Sequence, residues 1–344
     1  MSRASQLAMG SGTQAMADAG LGDQVPDPER SGIILGTGIG GFDEGLNGWE
    51  TFQKKGLKRV NPFKAMAMLC NLPAHSVSTR FQCQAYNSTV VTACAAGTQA
   101  IGEAAEVIRR GDADLMLAGG VEGVVHPVVV GAFTVMRVLA SDNEHPEQAC
   151  KPFDARRDGF VSAEGTEIMV LERLDKALDR GARIYAEVQG FSANSDAFHA
   201  AIPDPEASGA IRVMTGAIRN AGASPTDIHY INAHGPGTVV GDPSETQAIK
   251  TVLGEHAYNT PVSSTKSMVG HALGAAGAIE AMACVKTIEN GIIHPTLNYE
   301  VPEPYCDLDY VPNVAREADV QVTMSNSFGL GGQNACLVLR RFEE

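Results

Sequence analysis

Thr-Val-Val-Thr-Ala-Cys-Ala-Ala-Gly, residues 89–97, is the stretch on which the reading of this chain turns. Its β-branched residues favour a strand, and the small residues after them open a helical pattern that runs to Arg110. The junction places the Cys94 thiol at a helix N-terminus, where unpaired N–H groups and the macrodipole favour an anion. A thiol there ionises below the free value of ~8.5 and becomes a nucleophile. Most buried cysteines are only small hydrophobes. The strand-to-helix position separates Cys94 from Cys70, Cys83, Cys150, Cys284, Cys306 and Cys336, which lack it.

Outward from this junction, short apolar runs alternate with helical stretches, the pattern of an α/β protein. Strands are expected at 32–35, 89–92, 115–118, 167–171, 185–191, 229–232, 322–326 and 336–339. Helices are expected near 4–19, 63–71, 96–110, 173–180, 208–221, 243–254 and 274–290. The first helix has no strand before it. Cys-Ala-Ala-Gly at 94–97 is echoed by Gly-Ala-Ala-Gly at 274–277, each opening a helical stretch that ends in Ile and Gly at matching offsets, which points to a duplicated α/β unit.

The composition narrows the partners. The chain has 344 residues, 37 of them Gly, with 19% charged residues against a typical ~25%, so it is compact rather than disordered. A net charge of −14 argues against nucleic acid and anionic membranes. No apolar run approaches the ~20 residues of a membrane helix, and residues 1–21 do not read as a signal peptide. Seven cysteines without a C-x-x-C fit neither a zinc cage nor a disulfide framework, so the default setting is cytoplasmic and metal-free.

Two histidines sit in Gly-rich turns at strand ends: His234 in Asn-Ala-His-Gly-Pro-Gly-Thr (232–238), and His271 in Ser-Ser-Thr-Lys-Ser-Met-Val-Gly-His (263–271), five residues after Lys266. His75, His126, His145, His199, His229, His256 and His294 have no comparable setting. A third such turn, Asn-Ser-Phe-Gly-Leu-Gly-Gly-Gln-Asn (326–334), could aim backbone N–H groups at a developing oxyanion. Gly-Thr-Gly-Ile-Gly-Gly (36–41) matches a dinucleotide-binding pattern, but no acidic residue follows ~20 positions on, so it reads as a turn.

Thr-Ala-Cys-Ala-Ala-Gly, Asp-Ala-Arg-Arg-Asp-Gly-Phe (154–160), Asn-Ala-His-Gly, Ser-Ser-Thr-Lys-Ser-Met-Val-Gly-His and Asn-Ser-Phe-Gly, in this order and spacing, resemble the β-ketoacyl-acyl-carrier-protein synthases, in particular the elongating synthase II group. The resemblance implies an α/β thiolase-like fold of duplicated halves in five layers (α-β-α-β-α), an N-terminal half at 1–175 with the nucleophile and a C-terminal half at 176–344 with both histidines and the lysine. It implies a homodimer without a bound cofactor, with substrates carried on the phosphopantetheine arm of acyl carrier protein. Cys94 would accept the acyl group, and His234 and His271 would stabilise the enolate left by malonyl decarboxylation. The Cys94 and Leu330 amides would form the oxyanion hole, beside Phe328. Lys266 would organise the histidines with Glu245 and Glu280, since a lysine near pKa ~10.4 is a poor base. Thr238 would hold the pantetheine arm, and Lys58, Arg59 and Arg157 would dock the acidic carrier.

This chain departs from the family pattern in four ways. The family's first strand lies upstream of the position matching Met1, so the first half is expected to lack a strand. Pro236 replaces a pantetheine-binding threonine and removes a backbone donor. Leu330 stands where the synthase II group carries a gating Phe, and Gln-Cys-Gln-Ala-Tyr-Asn (82–87) replaces a Gly-Pro turn. A ketosynthase of a type II polyketide pathway, or a non-catalytic chain-length partner, shares much of this pattern. The latter usually lacks the nucleophile, and a degradative thiolase needs a second Cys that 326–334 lacks.

Overall fold

The computed structural model describes residues 1–343. The chain forms two compact units: unit 1 comprises Met1–His126, Glu164–Arg183 and Leu273–Ala278, and unit 2 comprises Pro127–Ala163, Ile184–Ala272 and the chain from Ile279 onward. The strands are β1 (Ser31–Gly36), β2 (Asn87–Val90), β3 (Leu115–Glu122), β4 (Gly165–Glu172), β5 (Glu187–Ser195), β6 (Tyr230–Asn232), β7 (Val262–Ser263), β8 (Ile292–Ile293), β9 (Arg316–Glu317), β10 (Val322–Gly329) and β11 (Gln333–Arg340). The helices are α1 (Arg3–Asp18), α2 (Phe42–Lys55), α3 (Lys64–Ala67), α4 (Leu72–Phe81), α5 (Ala96–Arg109), α6 (Pro127–Met136), α7 (Leu174–Asp179), α8 (Ser208–Asn220), α9 (Gly241–Leu253), α10 (Lys266–Val269) and α11 (Ala276–Asn290).

Unit 1 is built on a four-stranded sheet in the order β2-β1-β3-β4, with β1 parallel to β2 and β3, and β4 antiparallel to β3. Side chains alternate across its faces. Ile33, Leu35, Leu115, Leu117 and Val121 point to a core shared with Ala4, Ala8 and Met16 of α1 and with Ala74, Val77 and Phe81 of α4. The opposite face is kept small at Gly36 and Gly120 so that α5 can approach. A Cβ on Gly36 would lie 2.2 Å from the Ala96 carbonyl carbon, and one on Gly97 would lie 2.8 Å from the Ala278 nitrogen. Covered on both faces, β1 and β3 are buried along their whole length, as parallel strands usually are.

Unit 2 repeats this plan with one strand more. Its main sheet runs β5-β11-β10-β6-β7, with β6 parallel to β7 and β10, and the β10–β11 and β11–β5 pairs antiparallel. Val213, Met214 and Ala217 of α8 and Ala248 and Ile249 of α9 pack with Ile231, Met324, Cys336 and Val338 on one face. The other face carries the polar residues Asn232, Thr323, Ser325 and Ser327, all buried.

The expected strands and most helices are present. The expected helix at 63–71 is instead the single turn α3, followed by α4, which starts with Pro73 in its first turn, where a missing N–H costs nothing. Helices α2 and α6 were not expected: Gly45 and Gly48 interrupt the apolar spacing of α2, and α6 is apolar nearly all round, so it shows no polar face; in the fold, Trp49 and Val135 are 61% and 85% exposed.

Candidate active site

In unit 1, Cys94 lies in a 3₁₀ turn, Ala93–Ala95, that feeds directly into α5 at Ala96. It is 5% exposed. Ala93, just before it, holds φ at 48°, a left-handed conformation that a residue with a Cβ adopts only at a cost of order 1 kcal/mol, and the kind of strain that collects at functional sites. The segment leading into the echo at 274–277 reproduces this backbone: Leu273 has φ 45°, a 3₁₀ turn covers Leu273–Ala275, and α11 begins at Ala276. Ordinary burial explains the other thiols: it pushes Cys83, Cys150 and Cys284 up to about 12 and Cys306 to about 11.

The Gly-rich turn 36–41 is closed by the chain's own anion. The buried Glu122 carboxylate at the end of β3 accepts the N–H of Gly38 (2.5 Å), Ile39 (3.3 Å) and Gly274 (3.0 Å) and the Thr37 hydroxyl (3.1 Å). A phosphate would need those same donors, which is why the turn is not a nucleotide cradle.

In unit 2, His234 follows β6 and His271 follows α10, and their ring centroids are 5.4 Å apart, edge to face. Two backbone hydrogen bonds fix His271: its N–H donates to Val161 O (2.7 Å) and its carbonyl accepts from Ala163 (3.0 Å). Phe160 packs edge-on against its ring at 5.1 Å. His234 is held by Glu245 of α9, whose oxygens accept the His234 N–H (2.9 Å), the Gly235 N–H (2.7 Å) and the Asn326 amide (3.1 Å). Lys266 Nζ donates to His234 O (2.5 Å), lies 3.4 Å from His234 Nδ1, and pairs with Glu280 of α11. This ion pair is only 1% and 2% exposed. A buried charge is tolerable when it is paired and hydrogen-bonded, as here.

Burial, with the Lys266 charge adding to it, holds both imidazoles well below the usual histidine range, so both are neutral near pH 7. A neutral imidazole carries one N–H, and the buried His271 Nδ1 has no hydrogen-bond partner among the described residues. Two such rings side by side can donate to an oxygen that is gaining negative charge. Burial raises the Glu245 carboxyl to about 7 against the pull of its backbone donors.

Phe328, near the end of β10, lies 5.8 Å from the His234 ring. Leu330 is at the apex of the β10–β11 turn, outside the strand ladder, with Gly331 and Gly332 at φ 86° and 71° making the reversal. Thr238 Oγ1 accepts the Gly241 N–H at 3.2 Å. Lys58 and Arg59 are exposed on a 3₁₀ turn. Arg157 is not: it is 6% exposed, and its guanidinium donates to Thr238 O (3.0 Å), Val239 O (3.0 Å), Asp154 O (3.0 Å) and Glu303 (3.1 Å). With its donors turned inward, Arg157 braces the Thr238 turn, and the docking role expected for it is withdrawn.

The sequence reading missed Asp242 and Glu122. Asp242 Oδ1 accepts from Gly237 (3.1 Å) and Thr238 (3.2 Å), and Oδ2 from Phe153 (2.7 Å), so it shapes the turn around Pro236. Its signal was available: an acidic residue four positions after Thr238, in the first turn of α9. Glu122 carries no such local signal, because its partners are remote in sequence.

The two sheets of like topology and the strained thiol-bearing turn define a thiolase-like scaffold. The N-terminal domain of the β-ketoacyl synthases matches residues 1–177, and their C-terminal domain matches residues 185–300. The chain belongs to the β-ketoacyl synthase family. It is 44% identical over 336 residues to a 3-oxoacyl-(acyl-carrier-protein) synthase 2 of Coxiella burnetii, covering 98% of this chain and 81% of that one. A protein of the same name from Staphylococcus aureus is 43% identical, covering 100% and 83%. Among solved structures, a β-ketoacyl synthase of Burkholderia phymatum superposes with a TM-score of 0.93 at 37% identity, covering 100% and 83%. A type II polyketide ketosynthase solved with its acyl-carrier protein gives 0.93 at 35% identity, covering 99% and 85%.

Proposed function

We propose that this chain is a 3-oxoacyl-(acyl-carrier-protein) synthase that lengthens an acyl chain by two carbons through decarboxylative Claisen condensation. The observation that carries the reading is the neutral His234–His271 pair beside the buried Lys266–Glu280 ion pair, in a chain whose strained turn presents Cys94.

In the first half-reaction, the Cys94 thiolate attacks the carrier thioester. The Cys94 S–C bond forms, the pantetheine S–C bond breaks, and the released thiolate takes up a proton. In the second, malonyl-carrier loses CO₂ and the bond's electrons enter an enolate, whose oxygen accepts hydrogen bonds from His234 and His271. The enolate carbon attacks the acyl-Cys94 carbonyl, and collapse of the tetrahedral oxyanion returns the Cys94 thiolate. The amides of Cys94 and Leu330 stabilise that oxyanion, a donation worth ~10²–10³ in rate each where measured. Lys266 and Glu280 keep His234 oriented and neutral, and Phe328 shields the reacting carbons from water. Thr238 holds the pantetheine arm, and Lys58 and Arg59 attract the acidic carrier. The reading includes a homodimer acting in the cytoplasm; no described helix is long and apolar enough to cross a membrane.

Intact-mass analysis after incubation with acyl-carrier tests this. One acyl mass on the peptide bearing Cys94, absent from Cys94→Ala, is expected. Labelling elsewhere, or none in a folded sample, defeats the assignment. The product's chain length separates a fatty acid synthase from a polyketide one.

A further inference from the structure

His294 lies just past β8 and stands outside the mechanism above, yet it is the hub of a polar cluster within unit 2. Its Nε2 lies 3.0 Å from the Tyr230 hydroxyl, 3.1 Å from Asn232 Nδ2 and 3.0 Å from Thr265 Oγ1. Its Nδ1 lies 3.1 Å from Pro295 O, which can only accept, so Nδ1 carries the proton and Nε2 is the acceptor. Burial lowers the His294 pKa, which keeps the ring in that neutral form. The cluster is closed by Asn232 Nδ2 donating to Thr265 Oγ1 (2.8 Å) and by a hydrogen bond between the Tyr230 and Ser263 hydroxyls (2.8 Å).

Apart from its neighbour Pro295, these partners come from two segments. Tyr230 and Asn232 are on β6, four and two residues before His234, and Ser263 and Thr265 are three and one residues before Lys266. Strands β6 and β7 are joined by a short parallel ladder, Ile231 to Val262 and Asn232 to Ser263, and beyond it both chains leave the sheet. One imidazole acceptor shared by Asn232 and Thr265 therefore spans the point where the two turns diverge.

We infer that His294 is a positioning residue: by accepting from β6 and from the segment before Lys266 at once, it holds His234 and Lys266 in register for enolate stabilisation. This rests on the synthase reading above, and the test separates the two. Purified wild type, His294→Leu, His294→Gln and Thr265→Val are assayed for decarboxylation of malonyl-carrier and, separately, for acylation of Cys94. Leu removes the acceptor. Gln restores an amide acceptor near the position of Nε2. Thr265→Val, a milder change, keeps the test readable if Leu impairs folding.

The expected result is a ~10–10²-fold loss of decarboxylation in His294→Leu, the scale of a misplaced catalytic group, with acylation within about twofold of wild type. His294→Gln should recover most of the loss, and Thr265→Val should show a smaller split in the same direction. Equal losses in both half-reactions, or none, or no recovery with Gln, overturns the inference while leaving the synthase reading in place. A wild type that neither acylates nor decarboxylates overturns the reading itself.

Discussion

The turn after β1 in unit 1 and the turn after β6 in unit 2 occupy the same place in two sheets of like topology, and each is closed by a buried glutamate. In unit 1, Gly38 and Ile39 donate to Glu122 from the end of β3. In unit 2, His234 and Gly235 donate to Glu245 from α9. The backbone problem is shared: a strand that ends in a tight turn leaves N–H groups pointing inward, and a buried donor without an acceptor costs ~1–3 kcal/mol. Both halves solve it with a carboxylate. They differ in the side chain planted on the turn. At Gly38 a Cβ would lie 2.7 Å from Glu122 Oε2, so a side chain there would displace the carboxylate that closes the turn, whereas the corresponding residue in unit 2 is an imidazole facing a second imidazole. The two turns share their closure and differ in this one side chain, which in the proposed mechanism gives only the unit 2 turn a part in the reaction.

The comparison breaks most visibly at the histidines. His271→Ala should lower malonyl decarboxylation by ~10²–10³, the effect of removing one donor from an anion site, and reduce Cys94 acylation much less. Equal losses, measured as initial rates of each half-reaction, would contradict the division of roles.

The glutamates sharpen the contrast. Glu122→Ala and Glu245→Ala each orphan buried donors and should each lower unfolding stability by ~1–3 kcal/mol in urea titrations. Only Glu245→Ala should also depress the decarboxylation rate of the folded fraction, because only its donors include His234, which the proposed mechanism uses to hold the enolate. If Glu122→Ala slows that half-reaction as much, the two turns are not functionally distinct.

The smallest effect concerns pH. Both imidazoles are held below the usual value of ~6.5, so decarboxylation should keep its plateau through that pH and lose it only at more acidic values. Protonation puts a positive charge on a ring already near the Lys266 charge, and in His271 on a ring whose Nδ1 has no partner among the described residues, so the loss comes on the acid side. Removing the repelling charge in Lys266→Met should move the acid limb to higher pH, relative to the variant's own plateau. A limb that stays put or moves down would show that Lys266 does not govern the ionisation of the pair.

Much of this was legible in sequence, and the physical reasons differ by element. The β-branched run ending at Cys94 and the small residues after it act locally, so the strand-to-helix junction could be read directly. The 94–97 and 274–277 echo could also be read, and the left-handed Ala93 and Leu273 turn it from a string match into a repeated backbone. Helix α2 escaped although Phe42, Leu46, Trp49 and Phe52 recur at helical spacing, because Gly45 and Gly48 between them read as turn residues with low helix propensity. Arg157 was misread because a basic residue in a signature motif looks the same whether its guanidinium faces solvent or Thr238.

The sheets mark the division most plainly. In unit 2 the outer edge of β11 is paired along its length by β5, and β11 is buried almost throughout. In unit 1 the matching strand β4 has a strand neighbour only on its β3 side among the described residues and is mostly half-buried. Alternation and turn residues determine where strands begin and end, because they depend on neighbours a few positions apart. Which edge is covered, which carboxylate reaches which turn, and which neutral histidine ties β6 to the lysine turn depend on groups tens of residues apart, and only the folded chain brings those together.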